Sequence, residues 1–402
     1  FMGSMLGLVM SNHLLLLFIF WELTSFTSYL LIGFNHENEE ARSAALQAML
    51  VTVVGGLALL AGIILLADIA ESWYVSDLFS RGEIIRNNEL YVPILILIAL
   101  GAFTKSAQFP FHFWLPGAMQ APTPASAYLH SSTMVKAGVY LLAKMSSILG
   151  GTIEWSALLI TIGGVTFLLG AIMALGQHIL KRLLAYTTVS ALGAMVMLIG
   201  IGSKYTIKAM IIFLIAHAFY KAALFMIAGS LTHETGEKSI DKLGGLRKIM
   251  PYTFIGAIIA GLSMGGFPPL VGFVAKEVWL HALGSNTALT VATVIGGIAY
   301  VFVGVSIGLK PFIGAVPEKL RAHEAPILMS IGPIVLGIGS ILMAFFCGFI
   351  GSNLVSPAAM TVYGKSFSVE LQLWEGFNRY LYISFLTLLL GIFASDFVFS
   401  SS

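Results

Sequence analysis

Four lysines lie in the middle of long apolar stretches: Lys105 in LIALGAFTKSAQFPFHFW, Lys136 in LHSSTMVKAGVYLL, Lys221 in IIFLIAHAFYKAALFMI and Lys276 in GFPPLVGFVAKEVWL. At a bilayer centre each costs roughly 2.5–3.5 kcal/mol, so the default reading of such a residue is an ion or proton pathway. Glu22 sits in an equally apolar run, LLLLFIFWELTSFTSYLLIGF. An isolated carboxylate there favours its neutral form, whereas beside a lysine both charges persist. Lys105 is the candidate partner, and the plainer alternative is a neutral Glu22 bonded to a backbone carbonyl. His217 and Lys221 are four residues apart and share one helix face. They make two steps of a proton relay, because histidine titrates near neutrality. Otherwise His217 is a satisfied polar residue in helix packing. His130 and Lys136, six apart, point to different faces of a continuous helix. His130 follows PTPASAYLHSS, small and hydroxyl residues that let helices approach and hold water. Lys276 is followed by Glu277, which either neutralises it or faces away.

The elements that must hold these groups are membrane helices. The chain has 402 residues, 58% of them apolar and 10% charged, with a mean hydropathy of +0.93. A soluble domain is nearer about a quarter charged, so this is an all-α polytopic membrane protein within a lipid bilayer. The net charge of +2 is too small to argue for nucleic acid and no basic cluster suggests it, so no nucleic-acid partner is expected. One cysteine, Cys347, cannot form an internal disulfide, an iron–sulfur cluster or a structural zinc site. There is no P-loop, HExxH or dinucleotide glycine fingerprint, and no cofactor or metal is expected. His112, His178 and His233 fall near span ends and read as ordinary interfacial groups. Trp73, Tyr74 and Trp114 read as interface anchors.

About 20 apolar residues make a span. That rule predicts about 12 segments, at 1–11 (partial), 13–34, 43–68, 91–116, 122–148, 154–176, 182–202, 206–231, 250–284, 287–309, 326–351 and 378–397. Residues 70–90 read as an interfacial amphipathic piece and 351–377 as a weakly structured connection. Pro110 interrupts 91–116, and Pro268 with Pro269 interrupts 250–284. Broken backbone survives in a membrane only where protein or water satisfies it, so two such helices at matching places predict an inverted repeat with ion sites at the breaks. The basic residues outside the spans show a small excess on the side carrying loop 232–250, which leans that loop towards the cytoplasm. The chain starts at Phe1 and stops just after an apolar run. It is expected to be an internal fragment.

The strings FWELTSFTSYLLIGF, TKSAQFPFHFWLPGAMQAPTPASAYLHSSTMVKAGVYLLA, LKRLLAYTTVSALG, HAFYKAALFM and GGFPPLVGFVAKE resemble the proton-translocating antiporter-module family. That family takes in the antiporter-like membrane subunits of respiratory complex I, their counterparts in membrane-bound hydrogenases, and the Mrp multisubunit Na+/H+ antiporters. The similarity runs from about residue 1 to 345. WELTS followed by SYLLIGFNHE, Lys136 in HSSTMVKAGVYLLA, and HETGEKSIDKLGGL place the resemblance nearest the A-subunit branch of the Mrp antiporters. It implies a module over 1–345 with its first helices missing, followed by a truncated membrane region over 346–402. It also implies a proton path along Glu22, Lys105, His130 and Lys136, then His217, Lys221 and Lys276. Where complex I relatives often carry a histidine one turn before His217, this chain has Phe213, so water would have to bridge.

Three functions remain open on these grounds. The first is an ion-translocating subunit of a Na+/H+ antiporter in a prokaryotic cytoplasmic membrane, a secondary transporter and not an enzyme, working beside other membrane subunits. The second is a pump subunit driven by electron transfer elsewhere in complex I or a hydrogenase. The third is a non-transporting subunit with degenerate lysines, against which Glu22, Lys105, Lys221 and Lys276 occurring together argues.

Overall fold

The computed structural model describes residues 1–374 and 376–400, with side chains through 396. In chain order the α-helices are α1 (Met2–Met10), α2 (Leu14–Ile32), α3 (Glu39–Ile69), α4 (Val75–Arg86), α5 (Tyr91–Lys105), α6 (Trp114–Gly117), α7 (Thr123–Ser131), α8 (Ala137–Leu149) and α9 (Ile153–Leu175). They continue as α10 (Leu180–Ile201), α11 (Lys204–Thr235), α12 (Pro251–Gly265), α13 (Val271–Leu283), α14 (Thr287–Gly308), α15 (Ile327–Phe345), α16 (Cys347–Ile350), α17 (Ser356–Tyr363) and α18 (Arg379–Ser400). Among the described residues no β-strand forms; two isolated bridges pair loop backbone.

Eight of these helices are long and apolar enough to cross a membrane, by length and composition. The expected figure was about 12. The difference falls on 1–11, 91–116, 122–148 and 250–284, whose helices are short or interrupted. Two interruptions were expected, and a third lies at 132–136, between α7 and α8. The run Ser131-Ser132-Thr133 marks it: such hydroxyls offer the backbone bonding partners other than the helical ones. The segment 351–377 also departs from expectation, because a π-helical turn (Gly351–Val355) runs into α17. Within 70–90, the stretch read as an interfacial amphipathic piece, the chain forms the helix α4.

The chain divides into two compact units, Phe1–Thr166 with Leu192–Ile207 and Ala359–Ser366, and Phe167–Ala191 with Lys208–Ala358 and Phe367–Ser402. In the first, α3 starts on Asn38, whose Oδ1 accepts from the Glu40 and Ala41 amides at 2.8 and 3.4 Å. Glu39 and Glu40 occupy the positive end of the helix dipole. In the second, α12 and α14 meet where Gly261 faces Gly304, and a Cβ on either would run into the other's carbonyl oxygen. Lipid supplies no hydrophobic drive between helices, so close backbone approach through small residues is what joins them.

The polar loop after α11 is clasped within the second unit. The Leu180 amide donates to Lys238 O at 3.1 Å and the Ile240 amide to His178 O at 2.9 Å. The Asp241 carboxylate takes His178 Nδ1 at 2.7 Å and Lys310 Nζ at 3.0 Å. Burial alone would raise the Asp241 carboxyl, but the Lys310 bond and charge, with His178, outweigh it and hold it below the usual carboxylate range. A depressed folded-state value contributes stability above the unfolded value and loses it as pH falls. Asp241→Asn is therefore expected to lower the melting temperature at pH 7 by about 2 °C, the scale of a partly exposed pair. The gap should close as the pH is lowered towards 3, and a deficit that stayed constant with pH would contradict this account.

Candidate functional site

In the first unit, the sequence that ends α5 places Lys105 at the edge of a break. The residue is fully buried. Its Nζ donates to Trp21 O at 3.0 Å and to Ser25 Oγ at 2.6 Å, both on α2, and lies 5.2 Å from the Trp21 ring centroid. Glu22 sits on the same turn of α2. Its Oε1 is buried without a hydrogen-bond partner and packs against Gly56 of α3, where a side chain would displace it. Among the described residues no ion pair within 4 Å joins Glu22 to Lys105. The expected partnership is thus an open one, in which the ammonium is held by the turn that carries the carboxylate.

The break itself is satisfied from elsewhere. Trp114 Nε1 donates to Thr104 O at 2.9 Å, and the Phe109 amide donates to Thr166 Oγ1 of α9 at 2.9 Å. Trp114 is fully buried, so it is not the interface anchor its type suggested: its indole bonds backbone freed by the interruption. Ala107 takes a left-handed φ of +47° inside the break, a conformation costing a non-glycine residue roughly 1–2 kcal/mol. Pro110 follows on a cis bond.

His130 and Lys136 flank the unexpected interruption. Both are buried, at 0% and 4% exposure. His130 lies near the end of α7, with its ring 6.4 Å from that of Trp114. Lys136 closes the 3-10 turn Met134–Lys136 that opens α8. Their six-residue spacing was read on a continuous helix, and since the helix is broken that facing rule does not apply. Ser106, the residue after Lys105, staples this second break: its Oγ donates to Val135 O at 2.7 Å and accepts from the Val139 amide at 3.1 Å. The backbone on both sides of Lys136 is therefore tied to the residue next to Lys105. No periodicity marked Ser106; its position beside an intramembrane lysine was the available signal.

In the second unit, His217 and Lys221 are both fully buried on α11. Lys221 Nζ donates to Leu184 O at 2.9 Å and to Thr187 Oγ1, both on α10. Among the described residues no carboxylate lies within 4 Å of it. The His217 ring packs 5.5 Å from Tyr220 and 6.3 Å from Phe213. Lys276 follows the interruption that carries Pro268 and Pro269, and its Nζ reaches back to Gly265 O at 3.4 Å. That carbonyl closes α12, the negative end of a helix dipole. Gly266, at φ +75°, leaves room for the ammonium, since a Cβ there would lie 2.9 Å from Nζ. Ser340 of α15 bridges this break, 3.0 Å from Ser263 Oγ and accepting from the Val271 amide at 3.3 Å. Lys276 also lines a small cavity with Phe213, Tyr220, Trp279 and Tyr300.

Lys105, Lys221 and Lys276 thus each rest on a backbone carbonyl, Lys105 and Lys221 also on a hydroxyl, and among the described residues no ion pair within 4 Å ties any of the three to a carboxylate. Such a cage serves the ammonium, and it also tolerates the neutral amine without stranding a buried anion. No group of three or more His, Cys, Asp or Glu among the described residues could hold a metal ion. Cys347 is buried and its Sγ lies 3.5 Å from Leu371 O.

The family model for NADH:quinone oxidoreductase/Mrp antiporter transmembrane proteins matches residues 11–302. The chain is 42% identical over 427 residues to the A subunit of a Na(+)/H(+) antiporter of Alkalihalophilus pseudofirmus, covering 98% of this chain and 53% of the relative. It is 42% identical over 407 residues to the A/B subunit of a probable K(+)/H(+) antiporter of Rhizobium meliloti, covering 98% of this chain and 40% of that one. The chain spans about half the length of the curated relatives it matches. A structure of the Mrp complex from Dietzia sp. DQ12-45-1b superposes with a TM-score of 0.89 at 36% identity, over 98% of this chain and 44% of that one. With a match across more than half its residues, and this fold, the chain belongs to the family of membrane proteins shared by NADH:quinone oxidoreductases and Mrp antiporters.

Proposed function

We propose that this chain is an ion-translocating part of a multisubunit cation/proton antiporter in the cytoplasmic membrane of a prokaryote. Residues 1–345 form its proton-translocating module, with the interrupted segments crossing as paired half-helices, and 346–402 begin a following membrane region. Protons move by Glu22, Lys105, His130 and Lys136 in the first unit and by His217, Lys221 and Lys276 in the second. Na+ is the exchanged cation and other membrane subunits complete the complex. The observation that carries this reading is the set of buried lysines held by carbonyl oxygens, Lys105 and Lys276 beside helix interruptions and Lys221 between two unbroken helices. Lysines within membrane segments pair with other charges or with backbone carbonyls and mark ion and proton pathways, and a proton carrier needs surroundings that accept both its states. The family's other branch supplies the second reading, a redox-driven pump with the same internal machinery.

The test is cation-dependent proton exchange in everted vesicles carrying the complete complex in an antiporter-deficient host. Respiration sets the proton gradient before Na+ or K+ is added. Dequenching of a pH dye on Na+ addition is the expected result. Dequenching with K+ alone would keep the antiporter and change its cation. No cation response, with proton pumping that requires NADH or ferredoxin oxidation by partner subunits, would overturn the antiporter reading in favour of the redox-driven one.

A further inference from the structure

Lys221 bonds Thr187 of α10. One turn further along that helix, Ser190 Oγ lies 3.1 Å from the phenol oxygen of Tyr300 on α14, and both residues are buried. Tyr300 in turn lines the cavity shared with Lys276 and Trp279. The cavity measures about 40 Å³, on a scale where a single water needs roughly 10–15 Å³ and several polar neighbours. Trp279 is 3% exposed and its Nε1 has no hydrogen-bond partner, although a buried indole N–H normally has one. The cavity therefore has the room for water, and its wall is made by Lys276, Tyr300 and Trp279, a residue whose indole donor is unused.

We infer that the Ser190–Tyr300 hydroxyl pair passes protons between Lys221 and Lys276, with water in the cavity completing the step to Lys276. This rests on the proton-path reading above. The bland alternative is that two buried hydroxyls merely satisfy each other, which leaves the Trp279 donor and the cavity beside it without a role. In the step, the Lys276 ammonium gives a proton to cavity water and the water gives one of its own to the Tyr300 oxygen. The phenol proton moves to Ser190 Oγ as this happens, and the serine proton goes on to the Thr187 hydroxyl and so to neutral Lys221. Thr187 and Ser190 are three residues apart on α10, about 5–6 Å between Cβ atoms, so the transfer between them requires one bridging water. Only O–H and N–H bonds break and form. Each hydroxyl ends with one proton, so neither a phenolate nor an alkoxide is stored in the membrane, and the sequence runs equally well in reverse.

Tyr300→Phe removes the hydroxyl and keeps the ring, which packs 6.2 Å from Phe213 and 6.5 Å from Phe167. In vesicles with the complete complex, cation-driven proton flux is expected to fall about 100-fold, the lower end for losing a proton-transfer group. Complex yield and melting temperature should stay at the native value. Ser190→Ala should act in the same direction, and Ser190→Thr should retain flux. Incorporating 3,5-difluorotyrosine at position 300 acidifies the phenol and should shift the pH profile of the flux, which a packing role would not do. Native and Lys276→Ala complexes run alongside. A silent native complex overturns the proposed function. An active native complex with inactive Lys276→Ala and native-like Tyr300→Phe overturns this inference alone. So does a slowed Tyr300→Phe combined with an unshifted difluorotyrosine profile and a Ser190→Thr no better than Ser190→Ala.

Discussion

Lys221→Met is expected to reduce cation-driven proton flux by roughly 100-fold or more, the scale of removing an essential proton-transfer group, while the complex still assembles. The separation of the two effects follows from the lysine's surroundings. Methionine keeps nearly the same length and volume, so it neither overpacks the site nor leaves a cavity. The acceptors left behind are not stranded. Leu184 O also receives Thr187 Oγ1 at 3.2 Å and Thr188 Oγ1 at 2.8 Å, and the Thr187 hydroxyl keeps its bond to Leu183 O at 2.9 Å. Lys221→Arg is the sharper companion. It restores a positive charge and the donors, but guanidinium does not give up a proton in proteins. If Lys221 carries protons, arginine is as inactive as methionine; if it only supplies charge, arginine rescues. Initial rates of dye dequenching, read beside melting of the purified complex, decide this. Flux within about three-fold of native in Lys221→Met, well under the effect of a lost proton-transfer group, would remove Lys221 from the path.

Ser106→Ala is expected to cost about 1–3 kcal/mol, the penalty for leaving buried backbone groups unpaired. The loss should be local to the interruption that holds Lys136. One hydroxyl serves both the Val135 carbonyl and the Val139 amide, and the approach is so close that a Cβ on Gly138 would lie 2.5 Å from Ser106 Oγ. Water cannot easily replace it there, because Ser106, Val135 and Val139 are all buried. Hydrogen exchange at the Val139 amide should accelerate more than at amides of α3, and proton flux should fall with it as Lys136 loses its fixed place. Threonine at 106 should restore the bond where its methyl fits. Unchanged exchange at Val139 in Ser106→Ala would show that the staple does not hold the break. This effect is confined to one unit, since Lys105, Ser106 and Lys136 all belong to the first.

The serine also shows where reading from the chain alone stops. Lys105, Lys136, Lys221, Lys276 and Glu22 were legible because each violates its surroundings: a charge in an apolar run is costly whatever it touches. Pro110, Pro268 and Pro269 were legible for the same kind of reason, since proline removes a backbone donor wherever it stands. Membrane class, helical class and family motifs are local or compositional, and they needed no knowledge of neighbours. What answers those costs is not local. Lys105 is answered by Trp21 and Ser25, which lie 84 and 80 residues away, and Lys221 by Leu184 and Thr187, 37 and 34 residues away. The break at 132–136 carries no proline, and its hydroxyls alone are common in intact membrane helices; the hydrogen bonds of Ser106 are what satisfy it. Trp114 was misread from its type, because an indole suits a membrane interface and a freed carbonyl equally well. The sequence therefore determined which groups in this protein are costly to bury, and the tertiary structure alone decided which partners offset that cost, because hydrogen bonds act over about 3 Å in space regardless of distance along the chain.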